Sequence, residues 1–173
     1  GEDYGSWRAK GELYEEGRIY AIGISNLQPD GAIDWIIHNE IVQAVNQSET
    51  HPLTQKISTQ QFLKDNGVQI ESWGPFAEGR NDLFNNEVLR FIGAKYGKSV
   101  AQVVLRWMIQ RDVVVIPKSV RKDRMVENFD IFDFELTSGD MSIIQSLDTA
   151  QSAFFDHRDP EMIKWLGTHR FDD

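Results

Sequence analysis

The sequence predicts an α/β fold in which a strand followed by a helix occurs four times. Each predicted strand is a short apolar run that ends in polar residues, and each precedes a segment with helical spacing of its apolar positions. This alternation favours parallel strands joined by helices. A chain of 173 residues with 40% hydrophobic content supports one sizeable core, so we expect a single domain over 1–173, with 150–173 as a tail.

In the first half of the chain, apolar runs alternate with helical segments that have recognisable ends. Gly17 closes the first helix because glycine accepts a left-handed backbone, and Pro29 opens the second because its fixed φ suits a first turn. The elements are a helix over 7–17, a strand over 19–24, a helix from 29 to about 40, a strand over 42–45 and a helix over about 55–65.

The second half repeats the pattern, with two consecutive helices before the last strand. Ser99 and Gln102 have the spacing of a capping box at the start of the second helix. The run 113–116 is β-branched throughout, which fits a strand buried on both faces, and Pro117 ends it. The elements are a strand over 68–72, helices over about 86–96 and 100–110, the strand over 113–116, a helix beyond residue 119, a helix from about 137 to 147 and a short one within 159–166.

Composition and charge argue against several classes of function. The net charge of −9 is unfavourable for general binding to nucleic acid or to an anionic membrane. With no cysteine, disulfides and thiolate metal sites are excluded, and the four histidines show no ligand spacing, so no metal site is expected. His51 is interpreted as a loop residue beside Pro52. No apolar run approaches about 18 residues and the start lacks the features of a signal peptide, so we expect a soluble, cytoplasmic protein.

Polar or aromatic side chains follow every predicted strand. Functional residues of parallel βα units sit at the C-terminal ends of strands, so these side chains are expected to gather on one rim. Taken singly, each has an ordinary alternative: an asparagine at a strand end is often a turn residue, and a tryptophan is often part of the core. The side chains are Ser25 and Asn26, Gln47, Trp73, and Lys118 with Ser119.

The segment after the last strand suits an anion. The first amides of a helix are unpaired donors, and Lys118 and Arg124 add full positive charges beside them. Arg124, Glu127 and Asn128 lie three and four residues apart and therefore project from one face of the helix. The two last residues suit an amine or a ribose hydroxyl, so the group indicates a nucleotide-phosphate pocket. From spacing alone, a solvated helix start remains the alternative.

Four motifs keep an order and spacing that resemble the aldo-keto reductases, particularly the short-tailed bacterial members. They are Ile22-Gly23-Ile24-Ser25-Asn26, Val45-Asn46-Gln47 with His51-Pro52-Leu53, Trp73-Gly74-Pro75, and Ile116-Pro117-Lys118-Ser119. The resemblance implies the C-terminal half of a (β/α)8 TIM barrel in an enzyme that reduces aldehydes and ketones with NADPH. The segment 154–160 is also similar to the C-terminal tail of those members.

The resemblance assigns nine residues to the cofactor. On the nicotinamide side, Ser25, Asn26 and Gln47 would hydrogen-bond the carboxamide, and Trp73 would stack on the ring where many relatives have tyrosine. The remaining five are Lys118, Ser119 and Arg124 on the 2′-phosphate, and Glu127 and Asn128 on the adenine. Gly74 stands where serine is common in the family. Because glycine has no side chain, the contact to the pyrophosphate that the resemblance implies for this serine is not expected here.

The resemblance also implies that the catalytic residues lie outside this sequence. The family's aspartate, tyrosine, lysine and histidine belong to the N-terminal half of the barrel, and the segment 1–7 is similar to the one that follows the histidine strand. None of Tyr4, Tyr14, Tyr20 and Tyr96 has the context of the proton donor, so no catalytic residue is assigned. An eight-unit barrel needs roughly 250 residues, so four units indicate a half-barrel.

Two functions from different classes remain open. The first is an aldo-keto reductase-like NADP(H)-dependent oxidoreductase without its catalytic half, which alone would be inactive and would bind NADP(H) weakly or not at all. The second is a non-catalytic nucleotide-binding remnant or a self-associating module. The open edges of a half-barrel expose backbone groups and apolar helix faces, which favours self-association or pairing with a complementary half-barrel.

Overall fold

A parallel sheet of four strands organises the fold. The structure is a computed structural model that describes residues 2–27 and 29–154, together with 161, 164, 165 and 168. Every strand pairing is parallel, so the predicted class, α/β with four parallel strand–helix units, is confirmed. In sheet order, the strands are β1 (Gly23–Ser25), β2 (Val45–Glu49), β3 (Gln69–Trp73) and β4 (Val114–Val115).

The helices agree with prediction wherever the sequence carries an end signal. The Ser99–Gln102 capping box forms, and Gly17, at φ +70°, follows the first helix and donates its N–H to the carbonyl of Tyr14 at 2.9 Å. No helix in the described part of the chain has the length and apolarity needed to cross a membrane. The helices are α1 (Glu2–Glu15), α2 (Pro29–His38), α3 (Ile57–Asp65), α4 (Glu87–Tyr96), α5 (Val100–Gln110), α6 (Lys122–Phe129) and α7 (Ser138–Gln145).

A 3₁₀ segment, Ala77–Asn85, occupies the region between β3 and α4 that the sequence predicts as a loop. Its backbone is interrupted by positive φ angles, at Glu78 and Asp82 among others, so it is a series of tight turns and not a continuous helix. The predicted terminal helix within 159–166 lies largely outside the described residues.

The predicted positions of the first two strands were wrong. β1 covers only the end of the predicted run 19–24, and β2 begins where the predicted run 42–45 ends. The apolar pattern misplaces β2 because polar residues within it are buried with hydrogen-bond partners, which removes the usual cost of burial. Asn46 is fully buried and donates from Nδ2 to the carbonyl of Leu27 at 2.9 Å.

β4 is an edge strand, and the prediction that 113–116 would be buried on both faces was also wrong. Val113 is buried, but Val114 is 43% exposed and Ile116 is 49% exposed. β4 pairs with β3 on one side only within the described residues, so its other side is left open. Exposed aromatic rings of Phe129 and Phe132 lie near this edge, with centroids 5.6 Å apart.

The main core packs helices against one face of β3. Ile70 of β3 lies in the same buried cluster as Leu63 of α3 and Ile144 of α7. The apolar stripe predicted for α5 supplies the centre of this cluster, with Val103, Val104, Trp107 and Met108 all buried.

The opposite face of the sheet is polar near its C-terminal edge. Ser25 is in register with Gln47, and Gln47 is in register with Glu71. Registered residues of parallel strands project to the same face, and successive residues alternate between faces. Ser25, Gln47 and Glu71 therefore share the face that points away from Ile70 and the core.

Candidate functional site

Four of the nine predicted residues meet at the C-terminal ends of the first three strands. Trp73 donates from Nε1 to Oδ1 of Asn26 at 2.8 Å, and Asn26 donates from Nδ2 to Oγ of Ser25 at 3.0 Å. Ser25 in turn donates from Oγ to the backbone carbonyl of Gln47 at 3.1 Å. The chain of hydrogen bonds spans three strands and fixes the orientation of the indole ring.

The side-chain amide of Gln47 is held by a residue that sequence reasoning missed. Gln47 donates from Nε2 to Oε1 of Glu71 at 2.5 Å. Both residues line a cavity of about 590 Å³ that also reaches Ser25, Lys10 and Trp35. Glu71 lies two residues before Trp73 on the same strand, so the alternation of side chains along a strand was a signal that could have identified it.

The other five predicted residues surround a second cavity of about 620 Å³. This volume is within the range of small-molecule sites. Its lining includes Lys118, Ser119, Arg124, Glu127 and Asn128, together with Phe76 and Phe84. Arg121 does not cap the first turn of α6 with its side chain, and the backbone N–H groups of Asp123 and Arg124 are directed at the carboxylate of Asp123.

The cations that line this second cavity, and Arg121 next to it, differ in how they are paired. Arg121 is bound to Asp123, which raises the pKa of Arg121 through a side-chain hydrogen bond, and Lys98 contacts Asp133 at 2.7 Å. In contrast, Lys118 and Arg124 form no ion pair with any residue that the structure describes. These two positive charges line the cavity without an internal carboxylate partner.

Both groups of residues lie on one rim of the sheet. β3 and β4 are parallel neighbours, Trp73 is the last residue of β3, and Lys118 follows β4 by three residues. Phe76 follows Trp73 by three residues and lines the second cavity, where its ring lies 5.6 Å from that of Phe84. The loop after β3 therefore links the two groups, as the sequence predicts for the C-terminal ends of parallel strands.

The structure provides a steric reason for the glycine at position 74. Gly74 has φ +62°, and a Cβ added there would lie 3.2 Å from Cζ of Phe154. The Phe154 ring itself packs against Trp73, with centroids 4.9 Å apart. Position 74, where serine is common in the family, is therefore the position that the Phe154 ring contacts.

Sequence reasoning also missed a buried pair beside the rim. His51, predicted as a loop residue, lies two residues after the end of β2 and is fully buried, and its Nε2 lies 2.9 Å from Oε1 of Glu49. Glu49 is 3% exposed and also contacts Ser152 and Ala153. Among the residues that the structure describes, no group of three or more His, Cys, Asp or Glu side chains could hold a metal ion.

Comparison with known proteins identifies relatives of this arrangement. The model of the Aldo/keto reductase family matches residues 6–149. Glyoxal reductase from Bacillus subtilis is 48% identical over 143 residues, which cover 82% of this chain and 51% of that protein. Methylglyoxal reductase DkgA from Escherichia coli is 38% identical over 143 residues, covering 83% of this chain and 52% of that protein. The chain therefore spans about half the length of the curated relatives it matches.

Solved structures show the same architecture. MGS-M4, an aldo-keto reductase from a deep-sea metagenome library, superposes with a TM-score of 0.87 at 37% identity, covering 92% of this chain and 60% of that one. A mutant of Gox0644 in complex with NADPH gives a TM-score of 0.80 at 34% identity, covering 95% of this chain and 57% of that one. The four parallel strands are part of the (β/α)8 barrel fold of these structures, which confirms the predicted fold.

Proposed function

The chain belongs to the aldo/keto reductase family, and on this premise we propose that it carries the NADP(H)-binding side of a carbonyl reductase. The observation that supports this most strongly is the second cavity, because Lys118 and Arg124 line it without an internal counter-ion. A 2′-phosphate is the part of NADP(H) that needs such charges. The hydroxyl of Ser119, which lines the same cavity, would add a neutral donor to the same anion.

The adenine end of the cofactor is assigned to the following turn of α6. Glu127 and Asn128 line the same cavity as Arg124 and lie three and four residues after it, so all three face one ligand. A carboxylate accepts from an exocyclic amine, and a side-chain amide both donates and accepts. These properties suit the edge of an adenine ring beside its phosphate.

The nicotinamide end is assigned to the polar ends of the first three strands. Because Nε2 of Gln47 donates to Glu71, its Oε1 is left to accept from the carboxamide N–H₂. Asn26 and Ser25 offer further polar groups on the neighbouring strand. Trp73 would present the face of its indole, held by Asn26 at one edge and packed against Phe154, to the nicotinamide ring.

The reaction proposed for the enzyme built on this site is the reduction of aldehydes and ketones, for which NADPH would supply the hydride. The names of two relatives, glyoxal reductase and methylglyoxal reductase, make small α-oxo aldehydes the first substrates to test. The residues of this chain would bind and orient the cofactor in that reaction.

Proton donation is not assigned to any tyrosine whose side chain is described. Tyr96 donates its hydroxyl to Asp140 at 2.5 Å, Tyr14 is 42% exposed and Tyr20 is 97% exposed, and none of them lines either cavity. A reduction at carbon needs a donor for the developing alkoxide. We therefore expect the 173-residue chain to bind NADPH weakly and not to oxidise it with glyoxal or methylglyoxal. Sustained turnover by the purified chain would contradict this.

The cofactor assignment is tested by comparing Arg124→Ala with Arg121→Ala. Arg124 lines the cavity, whereas Arg121 lies three residues earlier, is engaged with Asp123 and does not line it. Arg124→Ala should weaken NADPH binding by about 3- to 10-fold, the effect of one solvent-exposed ionic contact, and leave NADH binding unchanged. Arg121→Ala should change neither. Calorimetric titration of both cofactors measures the difference.

Two outcomes of that titration would remove the assignment. One is an equal loss of NADPH affinity in both arginine variants, because this would indicate a general effect of surface charge. The other is the same affinity for NADPH and NADH in the parent chain and in Arg124→Ala, because a 2′-phosphate site requires a preference for NADPH.

The open β4 edge favours a second candidate function, association with another copy or with a complementary half-barrel. Val114, Phe129 and Phe132 are 43%, 75% and 61% exposed along this edge. Unpaired strand edges and large apolar patches are typical of association surfaces. Sedimentation over a range of concentrations would detect self-association, and a monomer at every concentration would exclude it.

A further inference from the structure

A buried carboxylate at the end of β2 holds a segment that lies 103 residues further along the chain. Oε1 of Glu49 accepts from Nε2 of His51 at 2.9 Å and from the backbone N–H of Ala153 at 2.8 Å. Oε2 accepts from Oγ of Ser152 at 2.5 Å. Both oxygens of a side chain that is 3% exposed are thus used within the fold.

The charge of Glu49 is maintained by these donors. Burial raises the pKa of Glu49, but the hydrogen bonds from His51, Ser152 and Ala153 outweigh burial and lower that pKa. Nδ1 of His51 is buried without a hydrogen-bond partner in the described structure, so the imidazole is oriented by its contact with Glu49. The carboxylate therefore fixes both the imidazole and the distant segment.

Residues 152–154 place the ring of Phe154 beside Trp73, at the proposed nicotinamide end of the rim. Phe154 follows Ala153 directly, and its ring lies 4.9 Å from that of Trp73. The guanidinium carbon of Arg80 lies over the Phe154 ring, 4.6 Å from its centroid, and Arg80 donates from Nη1 to the carbonyl of Ala153 at 3.2 Å. Ala153 is consequently held through its N–H by Glu49 and through its carbonyl by Arg80.

We propose that Glu49 is a positioning residue that acts on Trp73 through residues 152–154. Its carboxylate fixes Ser152 and Ala153, and these keep Phe154 against the indole that stacks on the nicotinamide in the proposed function. The importance of this contact for the cofactor rests on that proposed function. The contacts of Glu49 with Ser152 and Ala153, and the contact of Phe154 with Trp73, can be tested without any cofactor.

The first test measures amide hydrogen exchange by NMR in Glu49→Gln. A glutamine is uncharged and has one acceptor oxygen: in the place of Oε2 it leaves the N–H₂ group facing the donors of His51 and Ala153, and in the place of Oε1 it gives Ala153 only a neutral acceptor. The Ala153 amide should exchange roughly 10- to 100-fold faster, as expected for the loss of a hydrogen bond to a charged group. The amide of Ile144 in α7 should be unaffected, which shows that the fold is intact.

Thr149→Val is the matched control. Thr149 belongs to the same returning segment and donates from Oγ1 to the carbonyl of Leu53 at 2.8 Å, but it does not contact Glu49. The variant removes this hydrogen bond and the longer one in which Oγ1 accepts from the N–H of Gln151 at 3.4 Å, and it leaves the contacts of Glu49 in place. Exchange at Ala153 should remain within about twofold of the parent, because the hydrogen bonds of Glu49 are intact.

The second test follows Trp73 itself. The parent chain, Glu49→Gln and Thr149→Val are each prepared with and without Trp73→Phe. Subtracting the fluorescence spectrum of the protein that lacks Trp73 from that of the protein that has it gives the contribution of this indole. Glu49→Gln should change this difference spectrum, and Thr149→Val should not. With cofactor added, Glu49→Gln should weaken NADPH and NADH binding by the same factor, because Arg124 and the 2′-phosphate end are not altered.

The outcomes separate this proposal from the proposed function. Unchanged exchange at Ala153, or an unchanged Trp73 spectrum, overturns the positioning role. Absence of NADPH binding by the parent chain overturns the proposed function, while exchange and spectra still decide the role of Glu49. If Glu49→Gln does not fold, Glu49→Asp, whose side chain is one methylene shorter and cannot keep the distances to all three donors, should give the same changes.

Discussion

Replacing Gly74 with alanine should destabilise the fold in two ways, and a second glycine variant separates them. The first is conformational, because φ +62° is a left-handed backbone that a residue with Cβ adopts at a cost of about 1 kcal/mol. The second is steric, because the new Cβ would lie 3.2 and 3.3 Å from two ring atoms of Phe154 and the ring would have to shift, at a cost of about 1 kcal/mol. Gly74→Ala should therefore lower the free energy of unfolding by about 2 kcal/mol.

Gly67→Ala is the matched control, since it carries only the first cost. Gly67 has φ +72°, and a Cβ added there meets no atom within 4 Å. Its free energy of unfolding should fall by about 1 kcal/mol. Urea denaturation of the parent and both variants, monitored by far-ultraviolet circular dichroism, gives the comparison.

The test of the steric cost is the difference in free energy of unfolding between Gly74→Ala and Gly67→Ala. An equal loss of stability in Gly74→Ala and Gly67→Ala would refute the contact between position 74 and Phe154. A double variant adds a further check: in a Phe154→Ala background the ring is absent, so Gly74→Ala should cost only the conformational part, about 1 kcal/mol.

Two further predictions concern carboxylates. Burial raises the pKa of Asp140, but hydrogen bonds from Tyr96 and Lys95 outweigh burial and hold that pKa well below its usual range. Because the folded pKa is depressed, this stability is present above the unfolded pKa of about 4 and is lost as the pH falls further. Asp140→Asn should cost about 2 kcal/mol at neutral pH and flatten the acid side of the stability profile in urea denaturation, and a variant as stable as the parent would contradict this. Glu71→Ala should weaken NADPH binding by about 3- to 10-fold in calorimetric titration because Gln47 loses its acceptor. Glu71→Gln keeps an acceptor oxygen and should bind like the parent, so equal losses in both would argue against the assignment.

Helix ends were predictable from the sequence, whereas strand positions were not. The capping box of Ser99 and Gln102 and the positive φ of Gly17 each involve residues within one helical turn, so the local sequence alone determines where these helices begin or end. β2 depends on what its side chains meet elsewhere: Asn46 belongs to a buried strand because the carbonyl of Leu27 accepts its hydrogen bond. A pattern of apolar residues cannot contain that information.

The same distinction applies to the candidate site. Lys118 and Arg124 could be identified because a strand end and the following helical turn determine where they project, and they line one cavity in the structure. Glu49 could not be connected with Ala153, because 104 residues separate the acceptor from its donor and neither neighbourhood is unusual. Long-range contacts of this kind become visible only when the returning segment is placed.

The hydrogen bond from the Trp73 indole to Asn26 has a consequence for sequence variation at the rim. A tyrosine in place of the indole would present a phenol at a different distance and direction, so Oδ1 of Asn26 would lose its donor and its side chain could rotate away from Ser25. In this chain, the orientation of the amide after the first strand therefore depends on the indole at the end of the third.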